Sequence, residues 1–338
     1  MAVLVTGGAG FIGSHVVERL MARGDEVVVL DDLNDYYDPA IKLRNLAGVV
    51  DQPGLHLVRG DIADEAAVGQ AFAMARIRAV VHLAARAGVR PSLSDPLLYE
   101  RANIRGALQI LEQSRREGVE RVVFASSSSV YGMTTHAPFV ESDPADRPIS
   151  PYSATKRAAG LLCYTYSHLY QLPSVCMRLF TVYGPRQRPD LAIHAFTHSI
   201  WNGQPIKVFG DGTSARDYTF VDDIVDGLLT TLDRPTPFAY EIFNLGNSLP
   251  VPLSALISLI EHALGRTAVI EPAPEQPGDV KLTYADIGKA QHLLGYQPRV
   301  QIEEGIQRFC SWYLREYGCE PLARSHYIMA GDHHVGAP

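Results

Sequence analysis

The sequence predicts an α/β protein with a doubly wound parallel sheet, on three observations. Short apolar, β-branched runs alternate with amphipathic helical stretches through the first half of the chain. A glycine-rich turn, Thr6-Gly7-Gly8-Ala9-Gly10-Phe11-Ile12-Gly13, joins the first run, Ala2-Val3-Leu4-Val5, to the first helical stretch, Ser14 to Arg23. The second run, Glu26-Val27-Val28-Val29-Leu30, ends in two acids, Asp31 and Asp32.

Six strands are expected, at Val3–Val5, Val27–Leu30, His56–Arg59, Ala79–Leu83, Arg121–Ser126 and Ser174–Leu179, because unbroken apolar runs suit strands covered on both faces. Two long, partly apolar helices are predicted at Pro96 to Gly118 and Pro151 to Tyr170. Beyond Leu179 the chain shortens into Gly/Pro-punctuated pieces, such as Tyr183-Gly184-Pro185 and Val208-Phe209-Gly210-Asp211-Gly212, as in a smaller region that covers a substrate. Asp222–Leu232 reads as helix and Ile242–Leu245 as strand, so the chain is expected to return to the main sheet before the helical Leu253–Leu264. The predicted division is therefore discontinuous. Residues 1–180 with 220–248 form a Rossmann-type domain, 181–219 and 249–320 a smaller α/β substrate-binding domain, and 321–338 an aperiodic tail, His333-His334 included.

Composition narrows the function classes. A chain of 338 residues with 46% hydrophobic content can bury a large core. Its net charge of −7, without a basic cluster, gives no electrostatic case for nucleic-acid binding. Four cysteines, at 163, 176, 310 and 319, have neither metal-ligand spacing nor the density of a disulfide scaffold. With Met1 leading directly into a strand and no apolar run of membrane-spanning length, the expectation is a soluble cytoplasmic protein with no membrane partner and no metal.

The glycine turn points to a dinucleotide. Gly7 allows the tight exit from the strand, Gly10 lets backbone N–H groups approach a diphosphate, and Gly13 lets the helix pack closely. The helix N-terminus, at Phe11 and Ile12, adds partial positive charge. Asp31 or Asp32, eighteen and nineteen residues after Gly13, would accept from the ribose hydroxyls and repel a 2′-phosphate, which favours NAD over NADP. Either acid could instead simply begin a turn, but the glycine turn upstream favours ribose binding.

Tyr152 and Lys156, four apart in Ser150-Pro151-Tyr152-Ser153-Ala154-Thr155-Lys156, share one helix face. Such pairs are commonly solvated; this one follows a strand that ends in Ser126-Ser127-Ser128-Ser129, on the side where the dinucleotide would lie. A free phenol, with a pKa near ~10, is a poor base at neutral pH, but a neighbouring ammonium and a pyridinium cation favour its ionised form. Lys156 and NAD+ would supply those charges, while Ser127 bridges the phenol and a substrate alcohol.

These residues carry a resemblance. The chain is similar to the extended short-chain dehydrogenase/reductases of the nucleotide-sugar epimerase/dehydratase kind, from Ala2 to about Tyr317. The matching motifs are the Gly7/Gly10/Gly13 loop, Gly60-Asp61-Ile62, His82-Leu83-Ala84-Ala85, Asn103, Ser127 with Val130-Tyr131-Gly132, Tyr152/Lys156, Arg216-Asp217-Tyr218 and Val221-Asp222-Asp223. The resemblance implies tightly held NAD, a UDP-sugar substrate and a homodimer made through the two long helices. It also implies cofactor contacts from Asp61, Ile62, Leu83, Ala84, Ala85, Asn103 and Ser126.

The serine run selects among reactions. Related 4,6-dehydratases resemble Thr-Asp-Glu at Ser127-Ser128-Ser129, and UDP-glucuronate decarboxylases resemble Thr-Ser-Glu; this chain lacks the acids of both. Epimerisation at C4 through a 4-keto sugar needs only Ser127, Tyr152, Lys156 and NAD. The segments Asn34-Asp35-Tyr36-Tyr37-Asp38-Pro39, Tyr183 to Asp190 and Gln276-Pro277-Gly278-Asp279-Val280 resemble those of UDP-glucuronate 4-epimerases, although Arg186-Gln187 stands where those enzymes often carry Trp-Gly.

Arg188 is the first candidate for a substrate carboxylate, since guanidinium binds it in a forked pair, and Arg186 the second. Either arginine may instead hold a loop or pair with Asp190. Thr181 and Ser128 would add neutral contacts; the resemblance implies Arg216 at the diphosphate and Asp279 on the uridine side. A UDP-glucose/UDP-galactose epimerase, a UDP-glucuronate decarboxylase and a non-catalytic NAD-binding sensor are the alternatives.

Overall fold

The computed structural model describes residues 1–134, 136–274 and 280–318. Its main sheet contains β1 (Ala2–Thr6), β2 (Glu26–Asp31), β3 (Leu55–Arg59), β4 (Ala79–His82), β5 (Arg121–Ser127) and β6 (Ser174–Leu179). The chain next forms β7 (Thr181–Tyr183), β8 (Pro205–Phe209) and β9 (Ala215–Phe220) away from that sheet, then returns to it as β10 (Tyr240–Leu245). The order is β10-β6-β5-β4-β1-β2-β3, and every neighbouring pair is parallel.

Alternation along the strands feeds two cores. Val3, Val5, Val27, Val29, Val81 and Val123 face the helices Phe11–Ala22 and Val221–Asp233, through Val16, Val17, Leu20, Ile224 and Leu228. Leu4, Val28, Leu30, Val80, Val122 and Phe124 face the other side, against Ile110, Leu111, Ala159 and Cys163. Strand order reverses between β1 and β4, which opens a crevice at their carboxyl ends. Thr6 and His82 are register partners there, and Thr6 Oγ1 and His82 Nδ1 share a 2.7 Å hydrogen bond.

The second layer is centred on β9, which pairs with β7, with β11 (Pro250–Pro252) and, beyond β12 (Val269–Ala273), with β13 (Leu282–Thr283). A separate pair joins β8 to β12. Helix Leu253–Leu264 packs Leu256, Ile257 and Ile260 into the larger core, where Ile306, Phe309 and Tyr313 of helix Ile302–Tyr317 join them.

One expected element is corrected. In place of an unbroken helix from Pro96 to Gly118, the chain runs through helix Pro96–Glu100, a π-helical turn Arg101–Arg105 and helix Gly106–Arg116. The wide turn inserts a residue in the hydrogen-bond ladder and turns Asn103 inward; such bulges gather at functional sites. Helix Pro151–Tyr170 is continuous. Ser150 Oγ accepts from Ser153 N at 3.1 Å and Pro151 occupies the first turn, so Tyr152 enters at a well-defined start. Among the described residues no helix is long and apolar enough to cross a membrane.

Candidate active site

The crevice widens into a cleft of about 810 Å³ that reaches from the glycine turn to β9. Its floor is built for close approach. Gly7 has φ +69°, and a Cβ on Gly13 would lie 2.1 Å from the Gly7 carbonyl oxygen. Gly10 caps helix Phe11–Ala22 without any side-chain hydrogen bond, and the first turn carries no acid, so the N–H groups near Phe11 and Ile12 are left for an anion. That uncapped terminus fits a dinucleotide diphosphate.

Asp31 and Asp32 both begin turns, and both still line the cleft. Asp31 Oδ2 accepts from Ala9 N at 3.0 Å and Oδ1 from Leu33 N at 3.0 Å, while burial pushes its pKa up. Asp32 Oδ1 accepts from Asn34 N at 3.1 Å. Each carboxylate oxygen keeps acceptor capacity, so beginning a turn does not exclude contact with a ribose.

Farther along, Asp61 accepts from Ala63 N at 2.8 Å and pairs with Arg101 at 2.7 Å at the cleft edge, beside Ile62. Leu83, Ala84, Ala85 and Ser126 line the wall. Asn103 does not. Its Oδ1 accepts from Arg86 N at 2.8 Å, and its amide donates to Arg86 O and Thr155 Oγ1, each at 3.0 Å. The expected cofactor contact is thus corrected to a positioning one: Asn103 ties the Ala84–Arg86 wall to the helix that carries Tyr152.

Ser127 Oγ accepts from Ser129 N at 3.2 Å and lies on the cleft wall with the Tyr152 phenol, whose pKa it draws down. Burial raises the Tyr152 pKa, against which Ser127 and the Arg188 charge work. Lys156 lines the same cleft as Tyr152. Its ammonium donates to the Ala125 carbonyl at 2.7 Å over the Phe124 ring, and burial lowers its pKa to about 8. Among the side chains around the phenol, Arg188 is the cation whose charge favours its ionised form.

Arg188 grips Asp190 through Nε at 2.9 Å and Nη2 at 2.7 Å, and its guanidinium faces the Tyr36 ring at 5.3 Å. Thr181, Ser128 and Arg216 line the same cleft, with Arg216 Nη1 on the Ala215 carbonyl at 3.0 Å. Arg186, the second carboxylate candidate, is corrected: it bonds Glu18 at 2.6 Å and Ser14 Oγ at 3.3 Å and does not line the cleft. Asp279 lies outside the described residues. Two cleft residues were given no binding role from sequence: Arg86, whose Nη1 reaches Asn34 Oδ1 at 3.2 Å, and Ser129, whose buried hydroxyl lacks a partner among the described residues. Their only signal was adjacency to recognised motifs.

A family model described as "NAD dependent epimerase/dehydratase family" matches residues 3–246. The chain belongs to that family. Among other similar proteins, a UDP-glucuronate 4-epimerase of Thermodesulfobacterium geofontis is 44% identical, over 91% of this chain and 95% of that one. The UDP-glucuronic acid 4-epimerase of Bacillus cereus, solved with UDP-glucuronic acid and NAD, superimposes with a TM-score of 0.89 at 34% identity, covering 94% of this chain and 100% of that one. The UDP-glucose 4-epimerase of Thermotoga maritima, solved with UDP-glucose, gives 0.85 at 32% identity, covering 94% and 99%. Membership in this NAD-dependent epimerase family accounts for an uncapped helix terminus and Tyr152 in one cleft.

Proposed function

We propose that the chain inverts C4 of a UDP-sugar with NAD, interconverting UDP-glucuronate and UDP-galacturonate. The observation that carries this reading is the meeting of Ser127, Tyr152, Lys156 and Arg188 in one cleft with the glycine turn, Arg188 favouring the ionised phenol. The likeness to UDP-glucuronate 4-epimerases supports it.

Bound NAD would supply a reversible two-electron acceptor for the C4 hydride. Tyr152 takes the proton of the C4 hydroxyl and gives it back, with Ser127 holding the alcohol in line. Lys156 would hold the nicotinamide ribose, and its charge, with that of the nicotinamide, would favour the ionised phenol. The residues assigned to the cofactor are Gly7, Gly10, Phe11, Ile12, Gly13, Asp31, Asp32, Asp61, Ile62, Leu83, Ala84, Ala85 and Ser126. Arg216 faces the diphosphate. Residues 1–180 with 220–248 form the cofactor half, and 181–219 with 249–320 the sugar half.

A 4-keto uronate is a β-keto acid, which loses carbon dioxide when the carboxylate bond aligns with the carbonyl π system. Arg188, Thr181 and Ser128 restrict that rotation, an orientation effect that preserves the carboxylate through the reaction. Arg188→Ala should cut turnover of UDP-glucuronate at least about tenfold more than turnover of UDP-glucose, the scale of one charge-assisted pair. Steady-state kinetics on both sugars checks this; equal losses would remove Arg188 from carboxylate binding. The whole reading is tested by incubating purified protein with UDP-glucuronate without added NAD and separating the nucleotide sugars. UDP-galacturonate supports it, a UDP-pentose would indicate decarboxylation, and an unchanged substrate would refute it.

The assembly belongs to the same reading. Leu97, Leu161, Tyr164, Leu169 and Tyr170 are exposed large apolar residues on the helices that the resemblance places in a dimer bundle. We assign them to a homodimer interface, which light scattering on the purified protein would test.

A further inference from the structure

We propose that Asp190 and Tyr36 form a buttress that sets the orientation of Arg188 toward the sugar carboxylate, which makes them positioning and specificity residues for the uronate; this rests on the reading of Arg188 above. A guanidinium has two usable edges, one formed by Nε with one Nη and one formed by the two Nη groups. Asp190 occupies the first, with Nε on Oδ1 and Nη2 on Oδ2 at 2.9 and 2.7 Å. Arg188 Nη1 has no hydrogen-bond partner among the described residues, so the second edge can receive another carboxylate while the first remains held.

The buttress reaches across the cleft. Tyr36 OH donates to Asp190 Oδ2 at 3.2 Å, and its ring lies under the Arg188 guanidinium. Tyr36 belongs to the segment after β2, on the cofactor side, and that segment is itself tied down. Lys42 Nζ donates to Asn34 O at 2.8 Å, and Arg86 Nη1 to Asn34 Oδ1 at 3.2 Å. The Arg188 loop is pinned from its own side, with Gln187 N donating to Gly184 O at 3.1 Å and Leu191 N to Arg188 O at 3.2 Å. Asp190 stays ionised in this setting: burial alone would raise its pKa, but the hydrogen bond and charge of Arg188 bring the net shift down. The guanidinium is thus locked by groups from both halves. A carboxylate-bearing sugar meets a cation whose rotamer entropy has been lost beforehand.

Binding distinguishes the possibilities. Equilibrium affinities of UDP-glucuronate and UDP-glucose for the NAD-loaded protein should be measured in Asp190→Asn, Tyr36→Phe, Arg188→Ala and the Asp190→Asn/Arg188→Ala double variant, each with melting temperature and NAD content recorded. Asp190→Asn should weaken UDP-glucuronate about tenfold and UDP-glucose less than about twofold, and Tyr36→Phe should shift the same ratio about threefold. In the Arg188→Ala background the Asp190 change should add nothing, a non-additivity that general loosening of the loop would not produce. If Arg188→Ala is uronate-selective but Asp190→Asn leaves the ratio unchanged or raises it, the buttress is refuted and the Arg188 reading survives. Should Arg188→Ala weaken both ligands alike, the carboxylate reading itself falls and takes the buttress with it. Tyr36→Phe decides the question alone if Asp190→Asn does not fold.

Discussion

Tyr152→Phe should lower kcat on UDP-glucuronate by about a thousandfold, within the range contributed by a positioned acid–base group. The change removes one oxygen and keeps the ring, so the packing of Tyr152 against Tyr99, with centroids 6.1 Å apart, persists. Ser127 retains its bond from Ser129 N. The variant should therefore melt like the parent and purify with the same NAD content. Its pH profile supplies a second reading. Burial raises the phenol's pKa, so the base form becomes scarcer as pH falls, and the parent's rate should climb with pH as the phenol ionises. The residual rate of the variant should be flat over the same range. A kcat within a few-fold of the parent's would remove Tyr152 from the chemistry.

The second large effect is expected from a single methyl group. In Gly13→Ala the added carbon would stand 2.1 Å from the Gly7 carbonyl oxygen and 2.8 Å from Gly8 Cα, both backbone positions. No side chain can rotate away to relieve that contact, so helix Phe11–Ala22 must move off β1. Overpacking of this kind costs on the order of 3 kcal/mol. The displaced helix also carries its uncapped N–H groups away from the diphosphate. The variant should lose most of its co-purifying NAD, measured in the supernatant after denaturation, and should melt well below the parent by calorimetry. Gly69, on an outer helix, has open space at its Cβ and provides the control: Gly69→Ala should retain NAD and stability.

How far the sequence disclosed the molecule depended on whether a feature was periodic or a matter of choice among partners. β1 to β6 were legible because strands buried on both faces leave uninterrupted apolar runs, and the glycine turn because backbone contact at Gly7 and Gly13 leaves no room for a side chain. Ser127 and Tyr152 were legible as a pair because a strand end and a helix start converge on the same crevice. The π-helical turn was not, since Arg101 to Arg105 contains no proline or glycine to mark a change of helical pitch. Arg186 and Arg188 were indistinguishable in composition. The fold sends one to Glu18 on helix Phe11–Ala22 and the other into the cleft, a difference made by the positive φ of Arg186 within a tight loop. The attachment of Lys156 to the Ala125 carbonyl depends on the depth of β5 beneath the helix, which residue spacing does not encode.

The late return of β10 bears on how the protein is made. A ribosome that has released the chain through Phe180 has produced six strands of the main sheet, but β6 still presents a bare edge, its six ladder partners from Tyr240 to Leu245 not yet synthesised. Tyr131 likewise waits for the side chain of Asn244, to which its hydroxyl donates at 2.7 Å. Vectorial synthesis thus leaves a sticky intermediate for as long as the intervening sixty or so residues take to emerge, on the order of several seconds at ordinary elongation speeds. The main sheet and the strands β7 to β9 are obliged to mature together, and genetic fragments cut between β6 and β10 should precipitate rather than fold.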